Sequence, residues 1–126
     1  MCSMHEQIRD LTLELVKIPS ITESKGEIAV VEYLYDYLAK RDYFRANPTH
    51  LRLVDIAGDE LGRKNLVAVL KGRCGHSRTV VFLGHVDTVG TDDYGDLQEF
   101  AHDPVRLAAE LAKKDLDADT ARDLAS

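Results

Sequence analysis

The side chains best placed for chemistry are His85 and Asp87, in the run Gly84-His85-Val86-Asp87-Thr88-Val89. Along an extended chain, residues two apart project to the same side. A carboxylate there can hydrogen-bond an imidazole and set its orientation, and a neutral imidazole is a common Zn²⁺ ligand. The same spacing also suits an ordinary hydrogen bond at the end of a strand. What separates the two readings is the set of elements around the pair.

Upstream, Val80-Val81-Phe82-Leu83 is a continuous apolar run rich in β-branched residues, the pattern of a strand buried on both faces. Ligands of open α/β sheets collect at the carboxyl ends of strands, where His85 and Asp87 fall. Gly84 would allow a sharp turn or a close approach between the strand and the pair. Leu66-Val67-Ala68-Val69-Leu70 reads as a second buried strand, and the short loop Lys71 to Arg78 predicts that these two runs pair as antiparallel neighbours. Leu51 to Ile56 alternates in part, as an outer strand would, and Gly58-Asp59-Glu60-Leu61-Gly62 reads as a turn.

The helices precede the strands. Ile8, Leu11 and Leu15 recur at helical spacing and predict a helix from Met4 to Lys17, which Pro19 must end. Ser24 and Glu27 are spaced as a capping box for a second helix from Lys25, with Val31, Leu34, Tyr35 and Leu38 on one stripe and Lys40-Arg41 at its end. Beyond Val89, Thr91 to Gly95 reads as an exposed loop. Asp103-Pro104 then pairs a capping residue with a proline at the first helical position, opening a weak helix through Leu107 and Leu111. Helices followed by buried strands imply a three-layer α/β/α arrangement with an incomplete mixed sheet.

These segments together resemble the M20 family of zinc metallopeptidases and deacylases. Gly84 to Val89 after an apolar strand looks like the family's first metal-binding motif. Leu15-Val16-Lys17-Ile18-Pro19-Ser20-Ile21-Thr22 resembles its opening helix and loop, and Gly26-Glu27 and Asn65-Leu66-Val67-Ala68 with Gly72 occupy their usual places. Asp93-Tyr94-Gly95 through Phe100, then Asp103-Pro104, is similar to the arginine-utilisation branch. The resemblance implies a zinc-peptidase-like catalytic domain, with residues 1–126 as its amino-terminal portion and the lid domain absent. It makes His85 a ligand to one of two zinc ions and Asp87 the carboxylate that positions it, often described as catalytic. The implied reaction is hydrolysis of a peptide or N-acyl amino-acid amide bond by a metal-activated water, with a glutamate as general base.

The family's bridging aspartate, paired glutamates and final histidine have no counterpart after Val89. Asp115, Asp117, Asp119 and Asp123 lie in a polar stretch and are not carried over. A closed zinc site takes three or four protein ligands, and His85 is one. The expectation is therefore an amino-terminal fragment, inactive by itself and a weak zinc binder. The competing expectation is a non-catalytic remnant or interaction module that covers its incomplete sheet edge against a partner or a second copy.

Composition excludes other classes. The chain has 126 residues, 44% hydrophobic and 30% charged, with a net charge of −6. Residues 1–91 balance 12 acidic against 12 basic side chains, while residues 92–126 hold 10 acidic and 4 basic ones. That acidity opposes a nucleic-acid partner, which needs clustered Lys and Arg. No apolar stretch reaches the ~20 residues of a membrane span, and Met1 to Glu14 lacks a secretory signal's apolar core, so a cytoplasmic location is expected. Cys2 and Cys74 read as free thiols outside any metal or redox motif. His5, His50 and His76 read as solvent-facing, and His102 as structural or incidental. Tyr33, Tyr35, Tyr37 and Tyr43 lack the basic interleaving of a nucleic-acid platform, and Asp92-Asp93 lacks the Ca²⁺-loop order.

Overall fold

The computed structural model describes residues 3–73, 75, 78–114 and 116–124. The expectations for Cys2, Cys74, His76 and Asp115 therefore lie outside the described residues. The chain is a mixture of helices with one small antiparallel sheet, and it divides into two compact units, residues 20–88 and residues 1–19 with 89–126.

The unit that carries the site, residues 20–88, begins with α2 (Gly26–Ala39), followed by the short helix α3 (Asp42–Ala46) and a 3-10 turn at Pro48–His50. β1 (Leu51–Asp55) and β2 (Lys64–Ala68) then form a hairpin in which Leu53 faces Leu66 and Leu51 faces Ala68. Its turn needs a left-handed backbone at Gly58 (φ 76°) and Gly62 (φ 72°), which only glycine adopts without steric cost. Among the described residues of this unit, Val30 and Val31 of α2, Phe44 of α3 and Leu51 of β1 are the buried hydrophobic ones. Helix α2 packs on the hairpin, while Val54 and Val67 of the strands remain 44% and 42% exposed.

An ionic clamp ties the helix to the turn. Arg63 donates to Asp59 through its backbone amide and its guanidinium, and reaches the Glu27 carboxylate of α2 at 3.3 Å. The Asp59 side chain is 6% exposed. Hydrogen bonds from Arg63, more than their Coulombic attraction, hold its carboxyl below the usual carboxylate range.

The predicted start of α2 shifts in detail. Lys25 is the N-cap residue and provides no side-chain cap. Ser24 Oγ instead accepts from the Gly26 amide at 3.2 Å, and Glu27 reaches back to the Glu23 amide at 2.8 Å. The reciprocal box is displaced because Glu23 adopts a left-handed backbone (φ 63°), which puts the amide that donates to Glu27 one residue upstream of Ser24.

The largest departure concerns Val80 to Leu83. The run lies outside any strand and is 76–98% exposed, and the strand that pairs with Lys64–Ala68 is Leu51–Asp55. The expected antiparallel pairing of Val80–Leu83 with Leu66–Leu70 is not formed. A doubly buried strand needs ladder partners and layers above and below it. Among the described residues, neither covers this run. Among the described residues of this unit the sheet is a two-stranded hairpin with α2 packed on it, consistent with the α/β class.

The other unit contains α1 (Met4–Val16), α4 (Pro104–Leu111) and α5 (Ala118–Leu124). α1 opens on a capping box: Glu6 donates its amide to Ser3 Oγ, and Ser3 donates its own to Glu6 at 2.6 Å. α4 starts as expected, with Pro104 in its first turn and Asp103 Oδ1 accepting from the Arg106 amide at 3.0 Å. Asp92–Phe100, part of it expected as open loop, winds into 3-10 turns broken at Gly95 (φ 56°, ψ −122°). Asp117 caps α5 by accepting from the Asp119 and Thr120 amides, a structural task for one of the tail aspartates. Among the described residues, no helix is long and apolar enough to cross a membrane.

Candidate functional site

Two stretches of residues 20–88 meet at the site. Ile21 and Thr88 form a parallel bridge. The Thr22 amide donates to the Thr88 carbonyl at 3.0 Å, and the Thr88 amide donates to the Ser20 carbonyl at 2.9 Å. Ser20, 2% exposed, adds a side-chain bond: its hydroxyl donates to the Val86 carbonyl at 2.8 Å. Pro19 is the reason this loop is free to pair. It cannot continue the preceding helix, so the chain leaves α1 and enters Ser20-Ile21-Thr22 with backbone groups available.

His85 and Asp87 do come together. His85 Nδ1 lies 3.1 Å from Asp87 Oδ1 and 3.1 Å from the Asp87 main-chain oxygen. Both neighbours are acceptors, so Nδ1 carries the ring proton and Nε2 carries the lone pair. The imidazole side chain is 85% exposed, and that of Asp87 is 33% exposed. Among the described residues Nε2 has no hydrogen-bond partner. Asp87 Oδ2 accepts from the Thr22 hydroxyl at 2.9 Å. That bond first, and the one to His85 second, hold the Asp87 carboxyl below its ordinary range.

Gly84 has a smaller role than expected. Nothing lies within 4 Å of where its Cβ would be, and its φ is not in the left-handed region, so neither a close approach nor a sharp turn requires glycine there. Of the other histidines, His5 is exposed on α1. His50, expected to face solvent, is instead half-buried with Nδ1 2.9 Å from the Tyr43 hydroxyl, which also accepts the Lys71 amide at 2.8 Å. It is held by the 3-10 turn that Pro48 starts. Of the two readings open for His102, the structural one holds: its Nδ1 donates to the Val16 carbonyl, an acceptor left open at the end of α1. The residues that sequence reasoning missed are Ser20 and Thr22. They lie in the segment Leu15 to Thr22, yet no spacing rule links them to residues 65 or 66 positions away.

The donor set decides how far a metal fits. Among the described residues, no three His, Cys, Asp or Glu side chains gather where they could hold an ion. The arrangement suits one imidazole ligand with its orienting carboxylate. It does not suit a closed zinc site, which needs three or four ligands.

Comparison with known proteins gives two curated relatives. The chain is 33% identical over 121 residues, 96% of its length, to Protein RocB of Bacillus subtilis (strain 168). It is 37% identical over 112 residues, 88% of its length, to Uncharacterized protein YqjN of the same organism. The chain spans about a fifth of the length of these relatives, 21% and 20%. No family model matches it, and no solved structure matches it.

Proposed function

We propose that this chain contributes one metal ligand, His85, and its orienting carboxylate, Asp87, to the site of an M20-like metal-dependent amidohydrolase. The reading rests on one observation above all: two acceptors fix the proton on Nδ1, which leaves the Nε2 lone pair of an exposed ring directed away from its partners. Similarity across nearly the whole chain to relatives about five times longer agrees with a segment of a larger enzyme. The resemblance to the M20 family adds peptides or N-acyl amino acids as the substrate class. Bound zinc would supply a polarised water. The chain's own residues hold the imidazole in its ligating tautomer and leave its free nitrogen accessible.

Zn²⁺ titration of the purified chain, followed by nitrogen-resolved NMR of the histidine rings, tests this. The expected result is a weak perturbation at His85 Nε2 that His85→Ala removes, without hydrolysis of N-acyl amino acids by the chain alone. A tight stoichiometric complex overturns the one-ligand reading. An unperturbed His85 overturns the metal reading altogether.

A second reading is favoured by the bare run Val80 to Leu83, with Phe82 93% and Leu83 98% exposed. It makes the chain an interaction module that covers this run by self-association or with a partner. Sedimentation at rising concentration separates the two, since a monodisperse monomer counts against the module.

A further inference from the structure

We propose that Thr22 is a positioning residue, which holds the Asp87 carboxylate in the orientation that presents it to the His85 ring. The inference rests on the metal-ligand reading of His85 for its functional meaning, while the geometry stands without a metal. The carboxylate divides its oxygens. Oδ2 takes the Thr22 hydroxyl at 2.9 Å, and Oδ1 is left for His85 Nδ1 at 3.1 Å. The terminal torsion of an aspartate is broad and nearly two-fold, so a carboxylate a third exposed to water needs a second fixed donor to keep one oxygen on the ring. Thr22 is that donor. Its hydroxyl has a second acceptor, the Thr88 carbonyl at 3.1 Å, but the charged oxygen is the nearer and the stronger.

Thr22 is itself held against the segment it serves. Both flanks of Asp87 are tied to the flanks of Ile21: the Val86 carbonyl by the Ser20 hydroxyl, and Thr88 by the Ser20 carbonyl and the Thr22 amide. A hydroxyl carried on this bridge cannot drift relative to Asp87 without breaking backbone bonds. The β-branch adds stiffness, because threonine has few χ1 rotamers. A serine in its place keeps the donor, whereas a valine keeps the shape and loses it.

The test reads the ring and not the reaction. At alkaline pH, where imidazoles are neutral, nitrogen-resolved NMR gives the ratio of the two His85 tautomers. In the unsubstituted chain the Nδ1–H form should dominate. Thr22→Val should lower that ratio about three- to tenfold, the value of one ordinary hydrogen bond, and Thr22→Ser should restore it. The amide spectrum of α2 and the hairpin should stay unchanged, which a merely structural role would not combine with an altered ring. An unchanged ratio in Thr22→Val, or no recovery in Thr22→Ser, overturns the proposal. Should Thr22→Val not fold, three-bond couplings in the unsubstituted chain decide: one fixed Thr22 χ1 rotamer supports the proposal, and rotamer averaging overturns it. Zn²⁺ titration keeps the two readings apart. A His85 that ignores Zn²⁺ but responds to Thr22→Val defeats only the metal reading. A His85 that binds Zn²⁺ and ignores Thr22→Val defeats only the positioning role.

Discussion

Ser20→Ala isolates the bond that pins the site to the loop after Pro19. Ser20 is 2% exposed, and its hydroxyl donates to the Val86 carbonyl at 2.8 Å. Alanine fits the same space and removes only that donor. The Val86 residue is 37% exposed, so water can replace part of what is lost. The cost should then sit at the ordinary net value of one hydrogen bond, about 1–1.5 kcal/mol, and below the penalty for a carbonyl stranded in a dry core. At room temperature that free energy corresponds to an opening equilibrium raised about five- to thirteenfold. Two amides report it directly, because Thr22 donates to the Thr88 carbonyl and Thr88 to the Ser20 carbonyl. Native-state hydrogen exchange should show both accelerating by that factor, with α2 and the β1–β2 hairpin unchanged. Unchanged exchange at Thr22 and Thr88 would show that the side chain does not hold the bridge. A uniform acceleration through α2 would refute the local character assigned to it.

Other perturbations test other links. Because the Asp59 carboxyl is held below its ordinary range by Arg63, its contribution is complete above the unfolded carboxylate value and lost as pH falls through the lower folded one. An acid titration followed by circular dichroism should therefore show a shallower loss of stability below about pH 4 in Asp59→Asn than in the unsubstituted chain. Glu23→Gly should raise stability by about 0.5 kcal/mol, since a left-handed residue costs about 1–2 kcal/mol and glycine's unfolded-state entropy returns part of that; a lower urea midpoint would contradict it. Asp103→Ala removes the cap on the Arg106 amide and should cost α4 about 1 kcal/mol, seen as faster exchange across its first turn only. Phe44→Ala empties a buried position of the small core and should cost about 3–5 kcal/mol, read from the same urea midpoint.

Much of the local structure was legible in the residues. Pro19 ends a helix because it cannot supply the required backbone donor, and Asp103-Pro104 starts one because the pair caps and pre-sets the first turn. Gly58 and Gly62 mark the hairpin turn because that turn needs left-handed backbone. The apolar stripe of α2 was legible through its period, which puts Val31 in the core. The mutual approach of His85 and Asp87 was equally local, since alternation places residues two apart on one side.

Burial and long-range pairing were not legible in this way. Val80 to Leu83 has a buried strand's composition and none of its surroundings, because period and propensity describe a preference that only ladder partners and covering layers can satisfy. His50 looks like a surface histidine until the fold brings the Tyr43 hydroxyl to its ring. The sequence by itself determined that an imidazole and a carboxylate share one side of the chain. Only the tertiary structure decided that Thr22, 65 residues away, holds the far oxygen of that carboxylate. The physical reason is that a hydrogen bond acts over about 3 Å of space, whatever the separation along the chain.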